Sequence, residues 1–327
     1  MPARPTIVVI GCGRLGTFHA RCADRLGCFT LLGVCDARMD IAERVADELS
    51  VSTFASPEAV AEASPDAVIV ATPTQRHFEV ATALVGRVRS ILVEKPLTAT
   101  VAQAEALVSA CVTAGTVLLC GHIERMNPAW RVGRPLLQRP RFIEAHRIAK
   151  YTPRGADVAV TLDLMIHDLD LLLQVAGESP THVDAVGVAV VSPTLDLVNA
   201  RLSFASGLVA NLTASRLSAK AMRRFRAFTP GQYVSVDMGE RKVEIAQVSP
   251  AGHLPERLAP LPGLELPAGL ELGLGALHVP SDDAMEGEHL GLFEALEGRP
   301  HEVCTGAEAL EVLRLADRIT AACASPR

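Results

Sequence analysis

Asp163, His167, Asp170 and Gln174 recur at i, i+4, i+7 and i+11 within TLDLMIHDLDLLLQ. On an α-helix that spacing puts all four on one narrow face. Leu162, Met165, Ile166, Leu169, Leu172 and Leu173 cover the rest. A solvated helix edge is the alternative, but such an edge usually carries Lys, Glu and Arg. A short Asp/His stripe among leucines points to a cleft, because carboxylates taken out of water are paired or used. An imidazole titrating near ~6.5, with a carboxylate one turn before it, can accept a proton at neutral pH and be held in orientation while it does so.

The elements that must position such groups alternate through the first half of the chain. TIVVIG, FTLLGVCD, DAVIVATP, SILVEKP and VLLCGH read as strands; RLGTFHARCADRL, MDIAERVADEL, QRHFEVATALV and VAQAEALVSACVTAG read as helices. Continuous Val/Ile/Leu runs between helical periods predict a parallel sheet covered on both faces, the doubly wound α/β fold. The first strand–helix turn is GCGRLG, with Gly11, Cys12, Gly13, Arg14, Leu15 and Gly16, and Asp36 ends the second strand twenty residues later. That combination is a dinucleotide fingerprint. Gly11 permits the tight turn, Gly13 lets backbone N–H groups approach a pyrophosphate at the helix N-terminus, and Gly16 lets helix and strand pack closely. Asp36 is placed to accept the ribose hydroxyls and favours NAD, whereas Arg38 could grip the 2′-phosphate of NADP. Arg14 faces either the pyrophosphate or solvent.

Ligands of such sheets lie beyond the carboxyl ends of the strands. Ala71, Thr72, Pro73 and His77 of ATPTQRH, and Glu94, Lys95 and Pro96 of VEKPL, are therefore assigned to the cofactor cleft, although His77 would also serve as an ordinary residue of a helix start. Glu-Lys-Pro at a strand end is odd for packing and sensible for a site.

Taken with GxGxxG, ATPTxxH and the later DLxxHD, VEKPL makes the chain resemble the Gfo/Idh/MocA family of nicotinamide-dependent oxidoreductases. The resemblance extends through GHIERMNPA, FIEAHR, ARLSFASGLVANLTASR, VSVD and EGEHLGLFEALEGRPHEVCTGAEALEVL. It implies an N-terminal Rossmann domain, 1–123, and a substrate-binding and oligomerisation domain, 124–327, built on an open, mostly antiparallel sheet. Helices at about 282–325 would pack back on the first domain or on the sheet. RFIEAHRI, THVDAVGVAVV, LVNARLSFAS, LVANLTASR, RFRAFTP, QYVSVDM and KVEIAQV read as its strands, and 253–280 as a loop able to carry short strands.

The family's lysine and its Asp-x-x-x-His match Lys95, Asp163 and His167. The resemblance thus implies that Lys95 hydrogen-bonds the reacting oxygen of an alcohol, Asp163 orients the ring or binds the hydroxyl, and either His167 or Lys95 takes the proton. Pro96 would fix the backbone that aims Lys95. The basic set Arg125, Arg147, Lys150, Arg154 and Arg216, with Asn127 and Tyr151, would hold a substrate tail, since guanidinium groups bind diphosphate bidentately. The branch most like this chain oxidises the C3 hydroxyl of UDP-N-acetylglucosamine in a lipid A amino-sugar pathway. A dehydrogenase of a free polyol such as inositol, or a non-catalytic NAD or sugar-nucleotide sensor, are the other readings. The family also implies a homodimer or homotetramer.

The bulk properties agree with a globular enzyme. The chain has 327 residues, 49% hydrophobic and 21% charged, with net charge −6. That balance gives no footprint for nucleic acid. No apolar run approaches the ~20 residues needed to span a membrane. The eight cysteines form no CxxC pair and no zinc spacing, so we expect no metal, free thiols and a cytoplasmic protein.

Overall fold

The computed structural model describes residues 4–152, 158–261 and 266–324. The chain divides into two compact units: Met1–Met126 with Asp282–Arg314, and Asn127–Ser281 with Leu315–Arg327.

The first unit opens with β1 (Thr6–Ile10), α1 (Arg14–Leu26), β2 (Thr30–Cys35), α2 (Met39–Leu49), β3 (Ser52–Phe54), α3 (Pro57–Ala63), β4 (Ala67–Val70), α4 (Thr74–Leu84), β5 (Ser90–Glu94), α5 (Val101–Ala114) and β6 (Val117–Gly121). These strands are parallel, in the order β6-β5-β4-β1-β2-β3. The order reverses between β1 and β4, which makes their carboxyl ends the natural ligand crevice. All four residues of β4 and all five of β5 are buried, as a strand covered on both faces requires.

The second unit contains α6 (Pro128–Gly133), β7 (Phe142–Ile148), α7 (Ile166–Ala176), β8 (His182–Val188), β9 (Leu197–Ser203), β10 (Val209–Ser215), β11 (Met222–Thr229), β12 (Gln232–Asp237), β13 (Lys242–Pro250), β14 (Ala259–Pro260) and β15 (Leu270–Leu277). Its nine-stranded sheet runs β14-β15-β13-β12-β11-β7-β10-β9-β8. Every pair is antiparallel except β7 with β10. The strands alternate in burial, so one face lies on a core and the other is partly open.

The 253–280 stretch, read as a loop able to carry short strands, holds β14 and the eight-residue β15. LELGLGAL carries two glycines that read as turn signals, yet both lie inside the strand. A Cβ on Gly273 would stand 2.6 Å from Leu254, and one on Gly275 would stand 2.6 Å from the Arg257 carbonyl oxygen. These glycines admit close neighbours rather than turn the chain.

The chain then forms α8 (Ala284–Leu296), β16 (Cys304–Thr305) and α9 (Gly306–Ala324). β16 adds an antiparallel edge to β6. Leu292, Ala295, Leu296 and Val303 join Ala20, Ala23, Phe29 and Leu119 in the core of the first unit. α8 approaches so closely that a Cβ on Gly291 would stand 2.3 Å from Val303 Cγ2. Among the described residues no helix is long and apolar enough to cross a membrane.

Candidate active site

The loop after β1 has the geometry of a phosphate cradle. Gly11 has φ +95°, and a Cβ there would stand 2.6 Å from the Ala71 carbonyl carbon. A Cβ on Gly16 would collide with the Gly11 carbonyl oxygen at 1.6 Å, whereas Gly13 faces open space. Gly13 caps α1 without a side-chain hydrogen bond, and the first turn of α1 holds no acid. Its leading N–H groups are thus left to an anion. Beside them, the buried Thr72 Oγ1 has no hydrogen-bond partner.

Asp36 is held by main-chain donors: Cys12 N–H at 2.7 Å to Oδ2 and Arg38 N–H at 2.9 Å to Oδ1. Its carboxylate is fixed at the end of β2, where adenosine ribose hydroxyls bind in this fold. Arg38 turns its guanidinium to Asp40, at 2.8 and 3.4 Å. Arg14 lies over the Phe18 ring, 5.8 Å from its centroid. Burial, with Asp36 adding, pushes the Cys12 thiol up to about 12, so it stays neutral inside the loop. These residues suit a dinucleotide whose pyrophosphate meets the glycine loop.

His77 does not face a cleft with its ring nitrogens. It is buried, with Nδ1 2.9 Å from the Pro96 carbonyl oxygen and Nε2 2.9 Å from that of Thr72. The imidazole therefore ties the loop after β4 to the loop after β5. Lys95, half-buried, follows β5 and precedes a cis Lys95–Pro96 bond. Glu94 is buried, and its carboxylate turns inward to His19 and the Lys95 N–H. Sequence reasoning assigned Glu94 to the cofactor and gave His19 no role. GTFH in the first turns of α1 offered no signal, because a histidine there reads as surface or core equally well.

In the second unit the Asp/His segment is not a uniform α-helix. Thr161–Met165 is a π-helical turn, followed by α7. Such turns occur frequently at functional sites. Asp163 and His167 are half-buried and Asp170 is buried. Gln174, at the far end of the stripe, accepts the Trp130 Nε1–H at 3.3 Å. Asp168, outside the stripe, is buried in a bidentate pair with Arg147.

The basic set separates. Arg147 is engaged by Asp168, and Arg216 is buried and donates to the Val158 carbonyl oxygen. Arg125, buried in the first unit, pairs with Glu308 at 3.1 Å. Asn127 caps α6, accepting the Ala129 N–H at 3.0 Å, and donates to the Met238 carbonyl oxygen. Lys150 and Tyr151 are exposed ahead of the π turn, and Arg154 lies outside the described residues.

Two family models match: "Oxidoreductase family, NAD-binding Rossmann fold" over residues 6–122, and the corresponding C-terminal domain over 131–230. The UDP-N-acetylglucosamine 3-dehydrogenase of Acidithiobacillus ferrooxidans is 42% identical over 70% of this chain and 72% of its own length. A solved structure of that enzyme superposes with TM-score 0.86 over 97% of both chains, at 36% identity. A myo-inositol dehydrogenase of Streptomyces leeuwenhoekii is 33% identical over 58% of this chain and 61% of its own.

Proposed function

The chain belongs to the Gfo/Idh/MocA family of NAD-binding oxidoreductases, and from that premise we propose that it oxidises the C3 hydroxyl of UDP-N-acetylglucosamine to the 3-keto sugar nucleotide. The observation that carries the substrate is the higher identity to the Acidithiobacillus enzyme, 42% over 70% of this chain against 33% over 58% for the Streptomyces inositol dehydrogenase.

NAD supplies the hydride acceptor. Asp36 selects it through the ribose, and the Gly11–Gly16 loop takes the pyrophosphate. Lys95 donates a hydrogen bond to the substrate oxygen as negative charge develops there. Asp163 orients His167 or the hydroxyl, and the proton leaves through His167 or Lys95. Lys150, Tyr151 and Arg154, ahead of the π turn, are assigned to the nucleotide tail. The buried guanidiniums of Arg147 and Arg216 serve the frame rather than the ligand. A 3-keto sugar nucleotide is the substrate an aminotransferase needs, which fits a cytoplasmic step of lipid A amino-sugar synthesis. The partly open face of the nine-stranded sheet, with Glu144, Arg201 and Arg226, is our candidate for a homodimer or homotetramer contact.

The test is reduction of NAD, followed by absorbance, with UDP-N-acetylglucosamine, glucose and myo-inositol offered separately. Turnover with the nucleotide sugar alone is expected; turnover with myo-inositol alone would overturn the substrate. Lys95→Ala is expected to bind NAD as before and to lose at least about 100-fold in kcat. An unchanged kcat removes Lys95 from the reaction. Comparing pH–rate profiles of His167→Asn and Lys95→Met identifies the proton acceptor, because only its loss abolishes the acid limb.

A further inference from the structure

α8 carries two polar residues into the interior of the first unit. Glu288 is 1% exposed and His289 is fully buried. His289 Nε2 lies 3.0 Å from His19 Nδ1, and the two rings stack. His19 Nε2 in turn lies 2.8 Å from Glu94 Oε1. Glu94 Oε2 accepts the Lys95 N–H at 3.1 Å. Ligand-type atoms of His19, Glu94 and Glu288 all lie within 4.8 Å of one another. On β6, a Cβ at Gly121 would stand 2.9 Å from the Glu94 carboxylate, so that carboxylate has no room to swing toward β6.

One arrangement of protons satisfies these contacts. Glu94 receives two donors, the His19 Nε2–H and the Lys95 N–H, so it is the group that carries charge. His19 then offers the Nδ1 lone pair to the His289 Nε2–H. The Nδ1 of His289 has no partner, as a bare lone pair requires. Burial, with His19 adding, pushes His289 down to about 3, so it is neutral. Glu288 Oε2 also has no partner. Ionised, it would be a second buried charge beside Glu94 with no donor to meet it, an arrangement that two close carboxylates avoid by keeping one proton. Burial, and then the Glu94 charge, hold the Glu288 carboxyl well above the usual carboxylate range.

We propose that Glu94 is a positioning residue for Lys95, held as the single negative charge of this corner between the His19 ring and the Lys95 N–H, beside a Glu288 that keeps its proton. The chain His289–His19–Glu94 ends on the Lys95 amide. It therefore pins the backbone from which the ammonium projects. A misplacement of about 1 Å at such a group costs on the order of 100-fold in rate. The inference rests on the reading that Lys95 serves the reaction.

Infrared spectroscopy of the whole protein at neutral pH tests the proton directly. A protonated-carboxyl stretch is expected in the wild type and is expected to vanish in Glu288→Gln; a wild type without that band overturns the proposal. One equivalent of tightly bound metal in the purified protein would also overturn it, since the ion would stand where the proton is placed. Turnover tests the positioning. Glu94→Ala is expected to lose at least about tenfold in kcat with NAD Kd within about twofold, and Glu94→Gln, which still accepts the Lys95 N–H, to recover to within about threefold of wild type. Equal losses in Glu94→Gln and Glu94→Ala, or a kcat loss that only follows a weakened NAD Kd, overturn the positioning role. The infrared and NAD-binding measurements need no sugar, so a wrong substrate assignment leaves them decisive. Lys95→Ala, separately, decides whether Lys95 serves the reaction at all.

Discussion

Arg147 and Asp168 close a bidentate ion pair inside the second unit, at 3.1 and 2.8 Å, with neither side chain more than 4% exposed. Asp168 follows His167, so the pair anchors the start of α7 to β7. Removing one partner of a buried ion pair costs about 3–5 kcal/mol. Asp168→Ala is expected to lower stability by that amount in urea unfolding. The double change Asp168→Leu with Arg147→Met is expected to recover most of it, because apolar replacement of a whole buried pair is close to neutral. A loss below about 1 kcal/mol for Asp168→Ala would mean that the guanidinium had found another acceptor.

On the proposed reading, Asp36 favours NAD and a released Arg38 would favour NADP. The carboxylate is fixed by the Cys12 and Arg38 N–H groups, while the Arg38 guanidinium is occupied by Asp40. Asp36→Ala is expected to raise the NAD Kd about tenfold or more and to shift the NADP-to-NAD preference toward NADP. Adding Asp40→Ala releases Arg38 and is expected to extend the shift. Fluorescence titration with both cofactors reads each step, and an unchanged preference would mean that Asp36 does not meet the ribose.

His77 gives a different test of the same crevice. Its ring bridges the Thr72 and Pro96 carbonyl oxygens, and so links the loops after β4 and β5. His77→Ala removes both contacts and leaves a cavity. A stability loss of about 2–3 kcal/mol is expected, with lower kcat/KM. If kcat/KM fell with no change in the thermal midpoint, the imidazole would be acting on a ligand instead.

The fold was legible because its signals are periodic. Short β-branched runs such as AVIV and SILVE, set between helical periods, read as strands covered on both faces, and the glycines at 11, 13 and 16 announce their turn by spacing. What escaped the sequence was long-range pairing. Nothing in IHDLD says that Asp168, rather than its neighbours, will meet an arginine twenty-one residues earlier. GEHLGLF likewise reads as an amphipathic helix, while His289 finds its partner in α1, 270 residues away. The π turn at Thr161–Met165 is invisible to a periodicity argument, because the helical spacing of its residues is unchanged on paper. The glycines of β15 are ambiguous for the converse reason: a glycine marks either a turn or a close neighbour, and only the neighbour, here Leu254 or the Arg257 carbonyl, decides.

Four thiols give the protein an alkaline limit. Burial pushes Cys12 and Cys22 up to about 12, with Asp36 adding for Cys12, and pushes Cys35 and Cys111 up to about 11. All four are at most 3% exposed. The unfolded chain releases these protons near ~8.5. From there up to the native values the unfolded state binds fewer protons than the native one, so stability falls as pH rises, by up to about 1.4 kcal/mol per pH unit for each thiol. Below about pH 8 both states are protonated and the effect is absent. Urea midpoints are therefore expected to hold near pH 8 and to fall increasingly between pH 9 and about 10.5. Lysines and tyrosines begin to titrate in the same range, so the decisive comparison is internal. Cys111, whose shift comes from burial alone, lies on α5. Cys111→Ala is expected to flatten the alkaline slope relative to wild type, and parallel slopes would mean that the buried thiol is not what sets it.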